Sequence, residues 1–239
     1  MSSADVVVGY SLYLDLIHPL VDGKKIIRTG MTREVERVEA AIDLALVGKS
    51  CAIVSSGDPG IYAMAGLVFE TCKLKDIAVA STSSTNTTLG VSEALQVEVV
   101  PGIPALCAGA ALLGAPLTHD FAAISLSDLL TPWELIEQRI EAAAGADFVI
   151  VLYNPKSKKR TWQLEKAQKI LLKYRDKHTP VGIVARAMRE QQHVHVVSLE
   201  NLHTADVDMQ TTVFIGSSAS IQYLEFMVTP RGYSKKYDI

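Results

Sequence analysis

The chain has 239 residues, 49% of them hydrophobic and 21% charged, with a formal net charge of −3. That length buries a substantial core as one large domain or two small ones, and so mild an acidic balance gives no sign of the basic face that nucleic-acid binding usually needs. The three cysteines, Cys51, Cys72 and Cys107, are too few and too widely spaced for a disulfide framework or a CxxC metal site.

In chain order, Ala4–Gly9 (ADVVVG) reads as a buried strand and Lys25–Arg28 as a short second one. Thr32–Val47 reads as an amphipathic helix. Thr32 is its expected cap, Glu34 and Glu36 suit its positive end, and Val35, Val38, Ile42 and Leu46 share one face. Ser50–Ser55 is a further buried strand running into Gly57-Asp58-Pro59-Gly60, and a helix follows to about Cys72. Thr82–Thr88 is polar and turn-like, an expected surface excursion. Val97–Val100 is a strand closed by Pro101-Gly102, followed by a small-residue helix over Ile103–Leu113. This alternation predicts a parallel sheet covered by helices.

Near residue 115 the pattern changes. Phe121–Leu126 is a strand, and Thr131-Pro132-Trp133-Glu134 opens a helix with a cap, a proline at the first helical position and a glutamate three residues after the cap. Asp147–Tyr153 is a strand and Trp162–Tyr174 a helix. Val181–Ala185, Val194–Ser198 and Thr211–Ile215 are strands crowded enough to predict a mixed sheet with hairpins. The expected architecture is two α/β domains, residues 1–114 and 115–239, with ligands in a cleft between them. Cys51 and Cys107 lie in apolar stretches and are expected to be buried. The start lacks a basic segment followed by a long apolar run, and no apolar run reaches the ~20 residues of a membrane helix. The expectation is therefore a cytoplasmic chain without membrane or nucleic-acid partners.

Three strand ends carry residues able to meet a ligand. Ser55–Tyr62 (SSGDPGIY) passes from strand to helix through glycine, acid and proline. Ligands of open α/β sheets bind at such carboxyl ends, and glycine admits close approach. On spacing alone a plain strand-to-helix turn capped by Asp58 is the favoured explanation of the segment, and neither GxGxxG nor a P-loop is present. Val99–Ala105 (VVPGIPA) is a second such end, for which a tight turn is the simpler explanation, and Tyr153-Asn154-Pro155 is a third. His119-Asp120 is a polar pair beside an apolar strand. His193 and His195 share a strand face and, lacking a third ligand, read as solvent-facing, so no metal site is expected. Lys156, Lys158, Lys159 and Arg160 read as a solvated loop or as an attractor for a polycarboxylate.

Several longer segments resemble precorrin-3B and cobalt-factor III C17-methyltransferases of the tetrapyrrole methylase superfamily. They are Gly9–Leu16 (GYSLYLDL), Ser56–Gly66 (SGDPGIYAMAG), Gly114–Phe121 (GAPLTHDF), Ile124–Trp133 (ISLSDLLTPW), Leu152–Pro155 (LYNP), Trp162–Ala167 (WQLEKA), Thr211–Val213 and Met227–Tyr233 (MVTPRGY). The resemblance spans nearly the whole chain. It implies two α/β domains with S-adenosylmethionine folded into the inter-domain cleft, methyl transfer to C17 of precorrin-3B or cobalt-factor III coupled to ring contraction in cobalamin synthesis, and a homodimer. By matching motifs it implies cofactor contacts from Ser56, Gly57, Asp58, Ile61, Pro104, Ala105, Tyr153, Asn154, Ala187, Thr211 and Thr212. Asp58, His119, Asp120 and Tyr153 are its candidates for proton transfer, and Lys156, Lys158 and Arg160, or Arg186 and Arg189, for the substrate carboxylates.

The chain departs from this pattern at its start. The family begins with a strand and a GxGPG turn ahead of the segment matching Ala4–Tyr10, where this sequence has Met1-Ser2-Ser3. The comparison therefore implies an unpaired strand edge and exposed apolar surface, and with them a cofactor-binding remnant of weak catalysis, or a methylase of another ring position, as rivals to an active C17 enzyme. It also makes Ser81–Thr88 a longer surface loop than the family needs.

Overall fold

Val6, Val7 and Val8 are all buried, and a strand that buries successive residues must have both faces covered, as in a parallel sheet between helices. The computed structural model describes residues 3–81 and 94–238, so the polar stretch 82–88 lies outside the described residues. The chain divides into two units, Met1–Pro104 and Ala105–Ile239.

In the first unit, strands β1 (Val6–Tyr10), β2 (Lys25–Thr29) and β3 (Cys51–Val54) form a parallel sheet of order β2-β1-β3. Helices α1 (Ser11–Leu16) and α2 (His18–Val21) cover one face, with Leu14 and Val21 against Val7. On the other face, α3 (Glu34–Leu46) and α4 (Met64–Leu74) join Val38 and Ile42 to Met64 and Cys72. Strands β4 (Val79–Ser81) and β5 (Leu95–Val97) pair in parallel as a separate sheet. A groove of about 950 Å³ runs between β3 and the Leu95–Gly102 segment, with Val68 and Phe69 of α4 among its walls. Among the described residues no strand pairs with the outer edge of β3, and Cys51–Val54 are only half-buried where Val6–Val8 are buried.

The second unit opens with α5 (Ala105–Leu113) and the short β6 (Gly114–Ala115). Strand β7 (Phe121–Ser125), helix α6 (Trp133–Gly145), strand β8 (Val149–Tyr153), helix α7 (Gln163–Leu171) and strands β9 (Pro180–Ala185), β10 (His193–Ser198) and β11 (Thr211–Ile215) follow. The sheet has the order β10-β9-β11-β8-β7, with β7 and β8 parallel and the other pairs antiparallel. It is the mixed sheet that the strand crowding predicts. Helices α6 and α7 and the 3₁₀ turn Leu199–Thr204 close the main core over one face, through Ile136, Ile140, Leu171, Leu199 and Leu202. Strands β12 (Ile221–Tyr223) and β13 (Phe226–Val228) form a hairpin, and β13 pairs with β6. Buried Arg175 donates to the carbonyls of Ala144 (2.7 Å), Phe148 (3.1 Å) and Gly216 (3.3 Å), which fixes the end of α6 against the end of β11.

Helix α5 moves the unit boundary ahead of the one expected near residue 115. A Cβ at Gly109 would sit 2.6 Å from the Phe214 ring, and one at Gly182 would enter the Leu113 side chain. Both glycines thus let α5 lie directly on β9 and β11. Its small-residue pattern shows close packing but not the partner.

Four local expectations are corrected. Thr32 does not cap α3: its φ is +64° and its hydroxyl donates to Met31 O, while Arg33 holds the cap position without a side-chain bond. Val35 and Leu46 are exposed, because α3 buries only the stripe around Val38, Ala41 and Ile42. Helix α6 begins one residue later than read, with Pro132 at the cap position and no capping side chain. Cys107 is exposed and Cys51 half-buried. On α5, Leu106, Gly109 and Leu113 face inward at helical spacing, and Cys107 falls off that face.

Gly182→Ala tests the α5 contact. Leu113 is fully buried and has no room to give, so the added methyl is expected to destabilise the chain by about 1–3 kcal/mol, measured as a lower urea midpoint at unchanged slope.

Candidate functional site

In the first unit β3 delivers Ser55 and Ser56 to a turn in which Gly57 adopts φ +76°. Asp58 Oδ1 accepts the N–H of Gly60 at 2.8 Å and its Oδ2 accepts the N–H of Gly102 at 3.0 Å. The Gly102 bond, then the Gly60 bond, holds the Asp58 carboxyl below the usual carboxylate range. A Cβ at Gly102 would collide with the Gly57 carbonyl, so the two turns meet backbone to backbone. Gly57 and Asp58, between Ser56 and Ile61, are therefore joined to the turn that leads to Pro104. Both Asp58 oxygens accept a backbone N–H, which makes the residue a fastener of the two turns.

In the second unit the registers bring four strand ends to one edge. Ser125 pairs with Tyr153, Val213 lies opposite Leu152, and Thr211 pairs with Ala185. The Tyr153 hydroxyl accepts the Leu106 N–H at 2.9 Å, occupying one of the open donors at the start of α5, next to Ala105. Asn154, at φ +53°, donates from Nδ2 to Ser125 Oγ at 2.9 Å. Thr211 Oγ1 donates to Asp208 Oδ1, and Asp208 accepts Arg186 Nη2 at 2.7 Å. Thr212 is buried beside Thr211, and Ala187 follows Arg186, whose φ is +51°. Tyr153, Asn154, Ala187, Thr211 and Thr212 thus share one edge of the sheet.

His119 and Asp120 do not join them. They precede β7, and Val149, at the start of β8, donates to the Asp120 carbonyl. The pair therefore sits at the opposite end of the sheet from Ser125 and Tyr153. Nor is Arg160 a carboxylate clamp. Its Nη1 donates to Asn154 O (2.8 Å) and Leu126 O (3.2 Å), stitching two loops together. Arg186 is likewise paired, with Asp208. His193 is exposed as expected, but His195 is half-buried with its Nδ1 unpartnered; burial, then His193, lowers its pKa. Gly102, Ser125, Leu106 and Asp208 are site residues that the motif reading passes over. Gly102 is visible as the glycine of a strand-end turn, and Ser125 lies within the Ile124–Trp133 motif; Leu106 acts through its backbone N–H, and the Asp208 carboxylate finds its role only through the partners the fold brings to it. Among the described residues no group of three or more His, Cys, Asp or Glu side chains suits a metal, and no helix is long and apolar enough to cross a membrane.

The Asp58 bonds set a pH dependence. A depressed carboxyl pKa means that the bonds persist through neutral pH and are lost as pH falls through that lowered value. The amide proton shifts of Gly60 and Gly102 are expected to titrate together below about pH 4, and Asp58→Asn to abolish the titration. Tyr153→Phe removes the acceptor for Leu106 at an expected cost of about 1 kcal/mol, a melting temperature lower by about 2–4 °C in a calorimetric scan.

Residues 1–203 match the family model for Tetrapyrrole (Corrin/Porphyrin) Methylases. The chain is 47% identical over all its 239 residues to the cobalt-factor III methyltransferase of Priestia megaterium, of which it spans 42%. It is 43% identical over 234 residues to a probable cobalt-factor III C(17)-methyltransferase of Salmonella typhimurium, covering 98% of this chain and 90% of that one. The crystal structure of the methyltransferase CobJ matches with a TM-score of 0.83 at 33% identity, over 96% of this chain and 90% of that one.

Proposed function

We propose that this chain, which belongs to the tetrapyrrole (corrin/porphyrin) methylase family, transfers a methyl group from S-adenosylmethionine to C17 of cobalt-factor III, coupled to ring contraction in cobalamin synthesis. The observation that carries this reading is the 43% identity over nearly the full length of a relative named for that reaction. The relatives' names favour the cobalt-containing substrate over precorrin-3B.

The residues present fit the cofactor. In the first unit the Gly57 and Gly102 turns, packed backbone to backbone, would offer it Ser56, Gly57, Asp58, Ile61 and Pro104. In the second, Ala105, Tyr153, Asn154, Ala187, Thr211 and Thr212 would contact it. S-adenosylmethionine, when bound, supplies an electrophilic methyl group on a sulfonium. The chain's part is positioning, which supplies ~7–11 kcal/mol of a barrier when two reactants are held in line. Asp58 fixes the glycine turns, Asn154 ties β8 to β7, and Thr211 holds Asp208 on Arg186. Tyr153 is the proton-transfer candidate that lies on this edge.

A homodimer and a cytoplasmic setting complete the proposal. The exposed apolar residues Ile221, Tyr223, Leu224 and Phe226 of the β12–β13 hairpin support the first, and the free thiols of Cys51, Cys72 and Cys107 suit the second. The edge of β3, with which no strand pairs among the described residues, and its groove favour a second reading, a chain that binds cofactor without efficient turnover until another strand completes that sheet.

Two measurements decide. Titration calorimetry with S-adenosylhomocysteine is expected to give saturable binding, and incubation with S-adenosylmethionine and cobalt-factor III a product heavier by one methyl group. Binding without methylation selects the second reading, and neither overturns both.

A further inference from the structure

The loop after β7 carries two leucines with no place in the core. Leu129 is 78% and Leu130 93% exposed. A single leucine in water is ordinary, but two in succession on one loop tip form a candidate contact surface. The loop is also held in place. Arg160 donates to its Leu126 carbonyl and to Asn154 O of the neighbouring strand end, and Gln163 Nε2 donates to Asp128 Oδ2 at 3.0 Å. Arg160 and Gln163 thus hold the residues that lead directly into the two leucines. The anchoring segment between Asn154 and Gln163 also carries Lys156, Lys158 and Lys159, all exposed. Asp128, the nearby acid, already accepts from Gln163 and lies in the field of Arg160. Because Ser125 pairs with Tyr153, the loop leaves the sheet at the edge that gathers Tyr153, Asn154 and Thr211.

We propose that the Leu129–Leu130 tip, together with Lys156, Lys158 and Lys159 of the segment that anchors its loop, is the platform for the flat face of a polycarboxylated tetrapyrrole. The leucines cover the ring, and the ammonium groups meet its peripheral carboxylates. Charge complementarity selects this occupant: an apolar partner surface has no use for three ammonium groups, and a simple anion has none for two leucines. The inference rests on the methyl-transfer reading and deepens it by naming residues that recognise the substrate. It also replaces Arg160 and Arg186, which are already paired, with the lysines.

The test uses uroporphyrin III, an air-stable octacarboxylate, titrated by fluorescence quenching, with S-adenosylhomocysteine titrated in parallel. The double variant Leu129→Ser/Leu130→Ser is expected to bind the porphyrin about tenfold more weakly, the scale on which lost apolar burial of this size is felt, with unchanged melting temperature and S-adenosylhomocysteine affinity. Substituting Lys156, Lys158 and Lys159 by Gln is expected to weaken porphyrin binding and flatten its salt dependence. Unchanged porphyrin affinity in the leucine variant overturns the platform, as does wild-type protein that binds S-adenosylhomocysteine but not the porphyrin. Loss of cofactor binding and methylation in wild-type protein, with leucine-dependent porphyrin binding intact, overturns the methyl-transfer reading and leaves the platform standing.

Discussion

Asp58 accepts one N–H from its own turn and one from Gly102, and the second bond joins strand ends that the chain separates by 44 residues. Such a bond lets two short turns act as one wall. Without it each would be a glycine-rich excursion at the end of its strand, free to sample the conformations that glycine permits. The meeting of Gly57 with Gly102 depends on the same bond, since bare backbones at van der Waals contact have nothing else to keep them aligned. The arrangement of these two turns therefore rests on one carboxylate.

The second unit follows the same logic with other groups. Asn154 and Arg186 hold left-handed backbone without being glycine, a conformation that costs of order 1 kcal/mol for such residues. At each position a side-chain bond offsets the cost: Asn154 to Ser125, and Arg186 to Asp208. Arg160 adds two carbonyl bonds across neighbouring loops. What results is an edge of backbone and hydroxyl groups cross-tied by side-chain bonds. His119 and Asp120 lie at the far end of the same sheet.

Much of the fold was legible because the apolar runs of β1, β3, β8 and β9 and the stripe of α7 have the periods of buried strands and an amphipathic helix. The mixed sheet followed from three strands crowded between Val181 and Ile215. Less legible was anything decided by partners distant in sequence. Thr131 has the composition of a helix cap, yet the chain enters α6 through Pro132 without a side-chain bond. His119-Asp120 has the composition of a proton relay, and only the parallel register of β7 with β8 puts it at the wrong end. Arg160 stands in a basic run that looks like solvated charge, and its carbonyl partners lie as far as 34 residues away. The site residues read through motifs came together within each unit, because those motifs mark strand ends and strand ends share an edge.

The three thiols differ in a way that matters at the bench. Cys72 is buried, and burial raises its pKa; Cys51 is half-buried, with its pKa raised by burial and then by Asp5. Alkylating reagents attack the thiolate, so both are slow targets near neutrality. Cys107 is exposed on α5, one residue beyond the Leu106 amide that Tyr153 holds. A maleimide dye would therefore attach to the wild-type chain chiefly at the first turn of that helix, giving a fluorescence reporter of its amino end without any cysteine having to be introduced.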